Sequence, residues 1–454
     1  MGMDKQTTWK NRTQKVINRV NKAFPSSEFE NWQLCEDLLL STTYICERVI
    51  RLKVETDDAA TLSYKTASYL HERGKYDRVK PLIKFSLSVR NKILKNNHPD
   101  IAKSLNGLAE LYKVQGKHQK SKKVFKQILA MRKATLHHDH PDIASSYNGL
   151  AEINRLQGKY EKAKTLYQSS LEIFENSLGE NHLYVTSVLN NLANLYRVQG
   201  KYSQAEPLYK RSLTTRKHTL GSLHPDVARS INNLAELYQL QGKFDLAESL
   251  YCESLKIKEH VLGKEHPDVA YTLMGLAATY LAQGNNKKAE YFYQKSLLIR
   301  EKSLGRNHPN IATILNNLAL LYKSQGELNL AKKFYKRGLK IRKKVLDRNH
   351  PDIANSLNNL AALYQSQKKY EKSEPLYKRC LAIQEKSLGK NHPQIATTLN
   401  NLAVLYKHQN KFEKAVPLYQ RSLKIIIKKL GETHPIAKKA KKNYALFLEK
   451  KMTV

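Results

Sequence analysis

Apolar positions along the chain recur at helical spacing, and one stretch shows the pattern clearly. In residues 225–262, Val227, Ile231, Leu234, Ala235 and Tyr238 fall on one face of a helix. Pro225 stands at the first helical position, where its missing N–H costs nothing. Asp226 follows in the first turn, favourable against the helix dipole. Gly242 is predicted to end this helix in the left-handed conformation that glycine adopts cheaply. A second helix runs from about Phe244 to Val261, with Ala247, Leu250, Tyr251, Leu255 and Ile257 inward, and Gly263 ends it. The small Ala235 and Ala247 let the two helices approach closely, and tyrosines fill the gaps between units.

The same pattern returns every 42 residues without an insertion. His98, His140, His182, His224, His266, His308, His350, His392 and His434 mark the period. A fixed period of this length is the signature of stacked repeats, so the chain grows by stacking rather than by adding separate cores. Nine helix pairs are predicted, at about 57–94, 99–136, 141–178, 183–220, 225–262, 267–304, 309–346, 351–388 and 393–430. The first pair is degenerate: only Ala67, Gly74, Lys75, Tyr76 and Leu87 keep the pattern. Residues 1–57 are expected to form a helical cap or linker, 58–434 the nine repeats, and 435–454 a capping helix. In the cap, Thr8–Ala23 reads as a basic helix with Trp9, Val16, Ile17 and Val20 on one side. Pro25 breaks it, with Ser26 or Ser27 available to cap a second helix over Trp32–Val54. The final helix, Ala437–Lys450, carries Lys438, Lys439, Lys441 and Lys442 outward. The fold class is therefore all-α, a solenoid with caps at both ends. Lys368 and Asn410 replace the turn glycine, and a lysine there costs roughly 1 kcal/mol. Pro81, Pro207, Pro375 and Pro417 are expected in about the first turn of their helices.

Composition removes several function classes. No run of about 18 apolar residues exists, and the N-terminus lacks the apolar core of a signal peptide. The cysteines Cys35, Cys46, Cys252 and Cys380 form no Cys-x-x-Cys pair and read as small hydrophobes in a reducing, cytoplasmic protein. The charge is lopsided: 78 Lys and Arg against 40 Asp and Glu give +38, an attraction for polyanions and acidic proteins. A lysine-decorated solvated face explains the same excess.

Leu-x-x-Leu-Ala-x-x-Tyr in the first helix, Gly at the turn and Ala-x-x-x-Tyr in the second resemble a tetratricopeptide repeat (TPR). The 42-residue form, with Asn-Asn-Leu-Ala, Ala-Glu-Pro-Leu-Tyr and His-Pro-Asp, is similar to kinesin light chains and to the C-terminal sensor arrays of bacterial NB-ARC ATPases. The segment from Ala23-Phe24-Pro25 through Phe29, Trp32 and Cys35 resembles the linker preceding such a sensor, whereas sustained heptads are missing. No Gly-x-x-x-x-Gly-Lys-Ser/Thr occurs, so the chain resembles the sensor half alone, acting with a separately encoded ATPase. The resemblance implies a right-handed superhelix whose first helices line a concave groove.

The groove is where the resemblance puts ligand contacts. The Asn pairs Asn190/Asn191, Asn232/Asn233, Asn316/Asn317, Asn358/Asn359 and Asn400/Asn401 lie beside the apolar stripe. Helix propensity does not explain them, and an amide can donate to and accept from a peptide backbone. Kinesin light chains place the second Asn and a helix-B Arg against the peptide, which maps here to Asn191 with Arg216, Asn233 with Lys258, and Asn317 with Arg342. Asn194, Arg155, Arg197, Arg229, Lys323 and Lys407 add to this groove set, while Gly107, Gly149, Gly275 and Gln384 break the pattern. The alternative is that the Asn pairs bond neighbouring helices. A second surface is Lys332, Lys333, Lys336, Arg337, Lys340, Lys343 and Lys344 on one helix, a polyanion face for RNA, DNA or anionic membrane, or simply a solvated convex side. The histidines stand a whole repeat apart, too far for shared metal coordination, and read as turn residues. No catalytic constellation, cofactor or metal site is expected. The chain reads as a non-enzymatic scaffold or sensor for a protein segment, acidic and with an aromatic or leucine anchor.

Overall fold

The computed structural model describes residues 2–25 and 31–452, all of their regular elements being α-helices. The proposed caps Ser26 and Ser27, and Phe29, lie outside the described residues, as does the side chain of Trp9. The chain falls into two compact units, divided after His138.

In the first unit, α1 (Gly2–Ala23) and α2 (Trp32–Leu52) both pack on α3 (Asp57–Glu72). They bury Ile17, Phe24, Cys35, Leu39, Cys46 and Val49. The Thr56 side chain caps α3 by accepting from the Ala59 N–H. α3 pairs with α4 (Tyr76–Ile93), and α5 (Pro99–Val114) with α6 (His118–Thr135).

The second unit repeats the hairpin seven times. Its pairs are α7 (Pro141–Leu156) with α8 (Tyr160–Leu178), α9 (Leu183–Val198) with α10 (Tyr202–Leu220), and α11 (Pro225–Leu240) with α12 (Phe244–Leu262). They continue as α13 (Pro267–Ala282) with α14 (Asn286–Leu304), α15 (Pro309–Ser324) with α16 (Leu328–Val345), α17 (Pro351–Ser366) with α18 (Tyr370–Leu388), and α19 (Pro393–His408) with α20 (Phe412–Leu430). A last helix, α21 (Pro435–Met452), packs on α19 and α20 through Ala437, Ala440 and Phe447.

Each hairpin is set by local chemistry. The evenly spaced histidines are N-caps: the Nδ1 of His224 accepts from the Asp226 N–H at 3.1 Å, and His98 through His434 repeat that bond. An imidazole thus does the work that Ser, Asp or Asn usually does at a helix start. The turn between the two helices is left-handed, with φ 76° at Gly242, and it stays so at Lys368 (φ 58°) and Asn410 (φ 57°). Pro81, Pro207, Pro375 and Pro417 lie deeper than expected, inside their helices rather than in the first turn. All four are exposed, on the solvent side of their helices, where the loss of one backbone bond costs least.

Packing between helices is equally periodic. Within a pair, a buried serine ties the second helix to the first, as Ser254 Oγ does by donating to the Ala228 carbonyl at 2.8 Å. Between pairs, a tyrosine of four of the first helices donates to a glutamate of the preceding second helix: Tyr238 to Glu206, Tyr280 to Glu248, Tyr322 to Glu290 and Tyr406 to Glu374. Gly275 has a steric reason. A Cβ there would stand 2.4 Å from the Tyr251 ring, which fills the gap between its own unit and the next.

Candidate functional site

In the second unit each first helix also touches the first helices of its neighbours, which puts α7, α9, α11, α13, α15, α17 and α19 on the inner wall. The two columns of asparagines run along that wall and behave differently. The first column is buried. Asn190 donates to Ser212 Oγ (2.7 Å), Asn232 to Thr272 Oγ1 (2.8 Å) and Asn316 to Ser356 Oγ (3.4 Å), while Asn400 is buried and Asn358 half-buried. The second column is half-buried and forms rungs between units. Asn191 donates to Asn148 Oδ1 (3.0 Å), Asn233 to Asn190 (3.4 Å) and Asn401 to Asn358 (3.1 Å). Asn317 and Asn359 occupy the same half-buried position. The ladder extends to Asn443 on α21, which donates to Asn400 Oδ1 (3.3 Å). Asn443 was readable from the period, one step beyond Asn401, but lies in a helix otherwise unlike the repeats.

The helix-B cations differ from their expected setting. Arg216, Lys258 and Arg342 lie between a second helix and the next first helix, with 4%, 1% and 5% of their surface exposed. Their acceptors are hydroxyls and carbonyls rather than carboxylates. Arg216 donates to Ser230 Oγ (2.8 Å) and Thr186 Oγ1 (2.9 Å). Lys258 donates to Thr272 Oγ1 (3.0 Å), and Arg342 to Ser356 Oγ (2.7 Å). Burial first, then the neighbouring Arg229 charge, push Arg216 down to about 10; burial, partly offset by Asp268, pushes Lys258 down to about 8. They pin adjacent units together. Arg300 belongs to the same column, and the sequence reading missed it although it is one period from Lys258. It is buried like the others, but Ile314 stands where they find a serine or threonine; its Nε, like that of Arg342, has no acceptor.

The wall's accessible chemistry changes along its length. On its first half the cations are matched by acids. Arg155 pairs with Glu152 (2.7 Å), and Arg197 pairs with Glu236 (2.6 Å) and bonds Asn194. The exposed Arg229 pairs with Asp226 (2.8 Å). From α13 onward, the positions equivalent to Glu152 and Glu236 become Ala278, Leu320, Ala362 and Val404, with Leu320 51% exposed. α15 and α19 contain no acid, and α13 and α17 carry only Asp268 and Asp352, in their first turns. Lys323 stands beside this stripe, half-buried and pushed down by that burial. Lys407 also lines it, donating to the Leu446 carbonyl at 3.0 Å.

The outer basic helix α16 has no acid of its own. Lys333, Lys336, Lys340, Lys343 and Lys344 are exposed; Arg337 pairs with Glu301, and Lys332 lies over the Tyr364 ring at 5.8 Å. Among the described residues, no helix is long and apolar enough to cross a membrane.

A helix hairpin with a left-handed turn, an Ala-Ala crossing and a tyrosine between units, repeated in fixed register, is a family trait. Models of the tetratricopeptide repeat match residues 57–134, 142–218, 184–260, 226–299, 268–344 and 352–428, and a second such model matches 106–177. The chain belongs to the tetratricopeptide repeat family. Solved structures similar to this TPR array include BtubC (BKLC) from P. vanneervenii, 24% identical over 52% of this chain and 92% of that one, with a TM-score of 0.40. Nearly identical TPR-like repeats of a kinesin light chain type from Podosopora anserina are 27% identical over 45% of this chain and 98% of that one, with a TM-score of 0.38. A Rap protein solved with Competence and Sporulation Factor shares the fold at 14% identity, covering 82% of this chain and 99% of that one, with a TM-score of 0.53. No curated protein matches the chain.

Proposed function

We propose that this TPR array is a scaffold whose inner wall, from α13 to α19, binds an extended protein segment bearing acidic and apolar side chains. The observation that carries this reading is the change in the wall: Leu320, Ala362 and Val404 replace the acids found earlier, and Lys323 and Lys407 flank them. An apolar strip gives the segment's leucine or aromatic anchor a place to lose water, and the flanking lysines favour carboxylates over cations. The second-column amides of Asn317, Asn359 and Asn401 add directional contacts to the segment's backbone. The buried Arg216, Lys258 and Arg342 hold the wall's shape rather than meet the ligand.

The test is fluorescence anisotropy on labelled acidic peptides containing one Leu or Trp. Lys323→Glu and Leu320→Asp should each weaken binding by at least tenfold, about 1.4 kcal/mol. Lys333→Glu, Lys336→Glu and Lys340→Glu together should leave it nearly unchanged. The exposed lysines of α16 favour a second reading, polyanion binding. Duplex RNA or DNA retained by wild type, lost in that triple variant, and falling with salt at a log–log slope near −0.9 per phosphate would select it. Peptide binding insensitive to Lys323 and Leu320 would rule out the inner wall.

A further inference from the structure

Two close contacts within residues 139–454 join parts of the chain that are six repeats apart. The turn after α7 brings Gly158 against the start of α19. A Cβ on Gly158 would stand 3.0 Å from His392 Cδ2 and 3.1 Å from Pro393 Cδ. One repeat on, Gly200 after α9 meets the start of α21 in the same way, with His434 Cδ2 only 2.8 Å from where its Cβ would be. The equivalent turn glycines Gly242, Gly284 and Gly326 have open space around them. Lys429 Nζ donates to the Gly158 carbonyl at 3.2 Å, across 271 residues of sequence. Around this bond, Leu156, Tyr160 and Val198 face Pro393, Leu430 and Ile436 across a cavity of about 240 Å³.

The stacked helices thus come round to their own beginning, and a seam closes the ring. We propose that this seam is a reversible latch, and that its parting is the motion that opens the inner wall to a partner segment. The seam is slight beside the interfaces that build the array. Neighbouring repeats share whole helix faces, whereas the seam joins only turns and helix ends, through Tyr160, Leu430 and the His434 bond to the Val198 backbone, so it belongs to the lower-stability end of local opening. Like charge also works against closure: Lys429 is held below its usual range first by burial, then by Lys428 on its own helix and Lys159 on the opposite side. The apolar residues around the cavity favour closure, and the balance of the two leaves both states within reach. The use made of the opening rests on the inner-wall reading; the opening itself does not, and the test below contains no ligand.

The test exploits the matched turns. Asparagine tolerates the left-handed region, and Asn410 already holds it at the same turn position in this chain. The double variant Gly158→Asn, Gly200→Asn therefore adds bulk at the seam, while Gly242→Asn, Gly284→Asn adds the same bulk to open solvent. Small-angle scattering and amide exchange are measured on the full chain. The seam variant is expected to show a larger maximum dimension and at least tenfold faster exchange at the starts of α19 and α21, with helicity unchanged. The control variant should match wild type. Ile436→Lys, which adds a like charge to the seam without touching a turn, should move both readouts in the same direction. Dimensions and exchange equal to the control in both seam variants would overturn the latch.

Discussion

Lys368 holds a left-handed turn, φ 58°, that the eight other helix-pair turns leave to glycine (seven) or asparagine (Asn410). The strain is local, so Lys368→Gly should raise stability by up to about 1 kcal/mol, read as a higher denaturant midpoint at unchanged slope. Asn410→Gly should change it far less. Lys258 makes the opposite case, where the neighbours decide. It is buried with hydroxyl and carbonyl acceptors, and its folded value lies near 8 against an ordinary 10.5. Folding therefore disfavours its charge. The cost is full below about pH 8, shrinks as the amine loses its proton in the fold, and vanishes above about 10.5, where both states are neutral. Lys258→Met should stabilise the protein at pH 7 by on the order of 2 kcal/mol, and urea melts should show that advantage fading between pH 8 and 10.5. The strain at Lys368 was legible from sequence because a glycine stands at that turn in most repeats. The burial of Lys258 was not, because its depth is set by Thr272 and Tyr271 of the next repeat.

At the scale of the helix, the recurring histidines show how far spacing carries. Their period marks them as turn residues, and the neighbouring Pro-Asp marks a helix start. The bond itself, Nδ1 accepting the N–H two residues on, needed the backbone in place. An amide oxygen reaches the same position, so His224→Asn should keep the cap while His224→Ala loses about 1 kcal/mol, measured by thermal or urea unfolding. Equal losses in both variants would mean that the imidazole acts through packing rather than as an acceptor. The asparagine columns were legible as columns, and the structure shows the bonds they make between helices. The first column is spent inside the array, and the second is partly spent on rungs between repeats, keeping an edge at the wall. Sequence could not separate them, because adjacent positions on a helix differ by only about 100° and burial depends on the neighbouring helix.

Across the whole second unit, stacking energies between neighbours should add, so removing one complete repeat keeps every remaining interface of the same kind. Deleting 309–350 should leave helicity per residue unchanged in circular dichroism, whereas deleting 20 residues within it should leave an unpaired helix and lower solubility. The one-repeat deletion also shifts the seam. Gly158 would then face His434 in place of His392, and Gly200 would lose its partner, so amide exchange at the turn after α9 should rise. Solubility and helicity alike in both deletions would contradict nearest-neighbour stacking.

By itself the sequence determined what is local and periodic: the helix pairs, their starts at His-Pro, their left-handed turns, the inward stripes, and membership in a 42-residue TPR array. These follow from contacts within one repeat or with the next, and the period repeats that information many times. Only the tertiary structure decided which cations are buried pins, that the Nε of Arg300 is left without an acceptor, and that Gly158 and Gly200 meet His392 and His434. The first two depend on side chains of a neighbouring helix. The last depends on a small rotation per repeat, summed over six, and no single repeat of sequence records that sum.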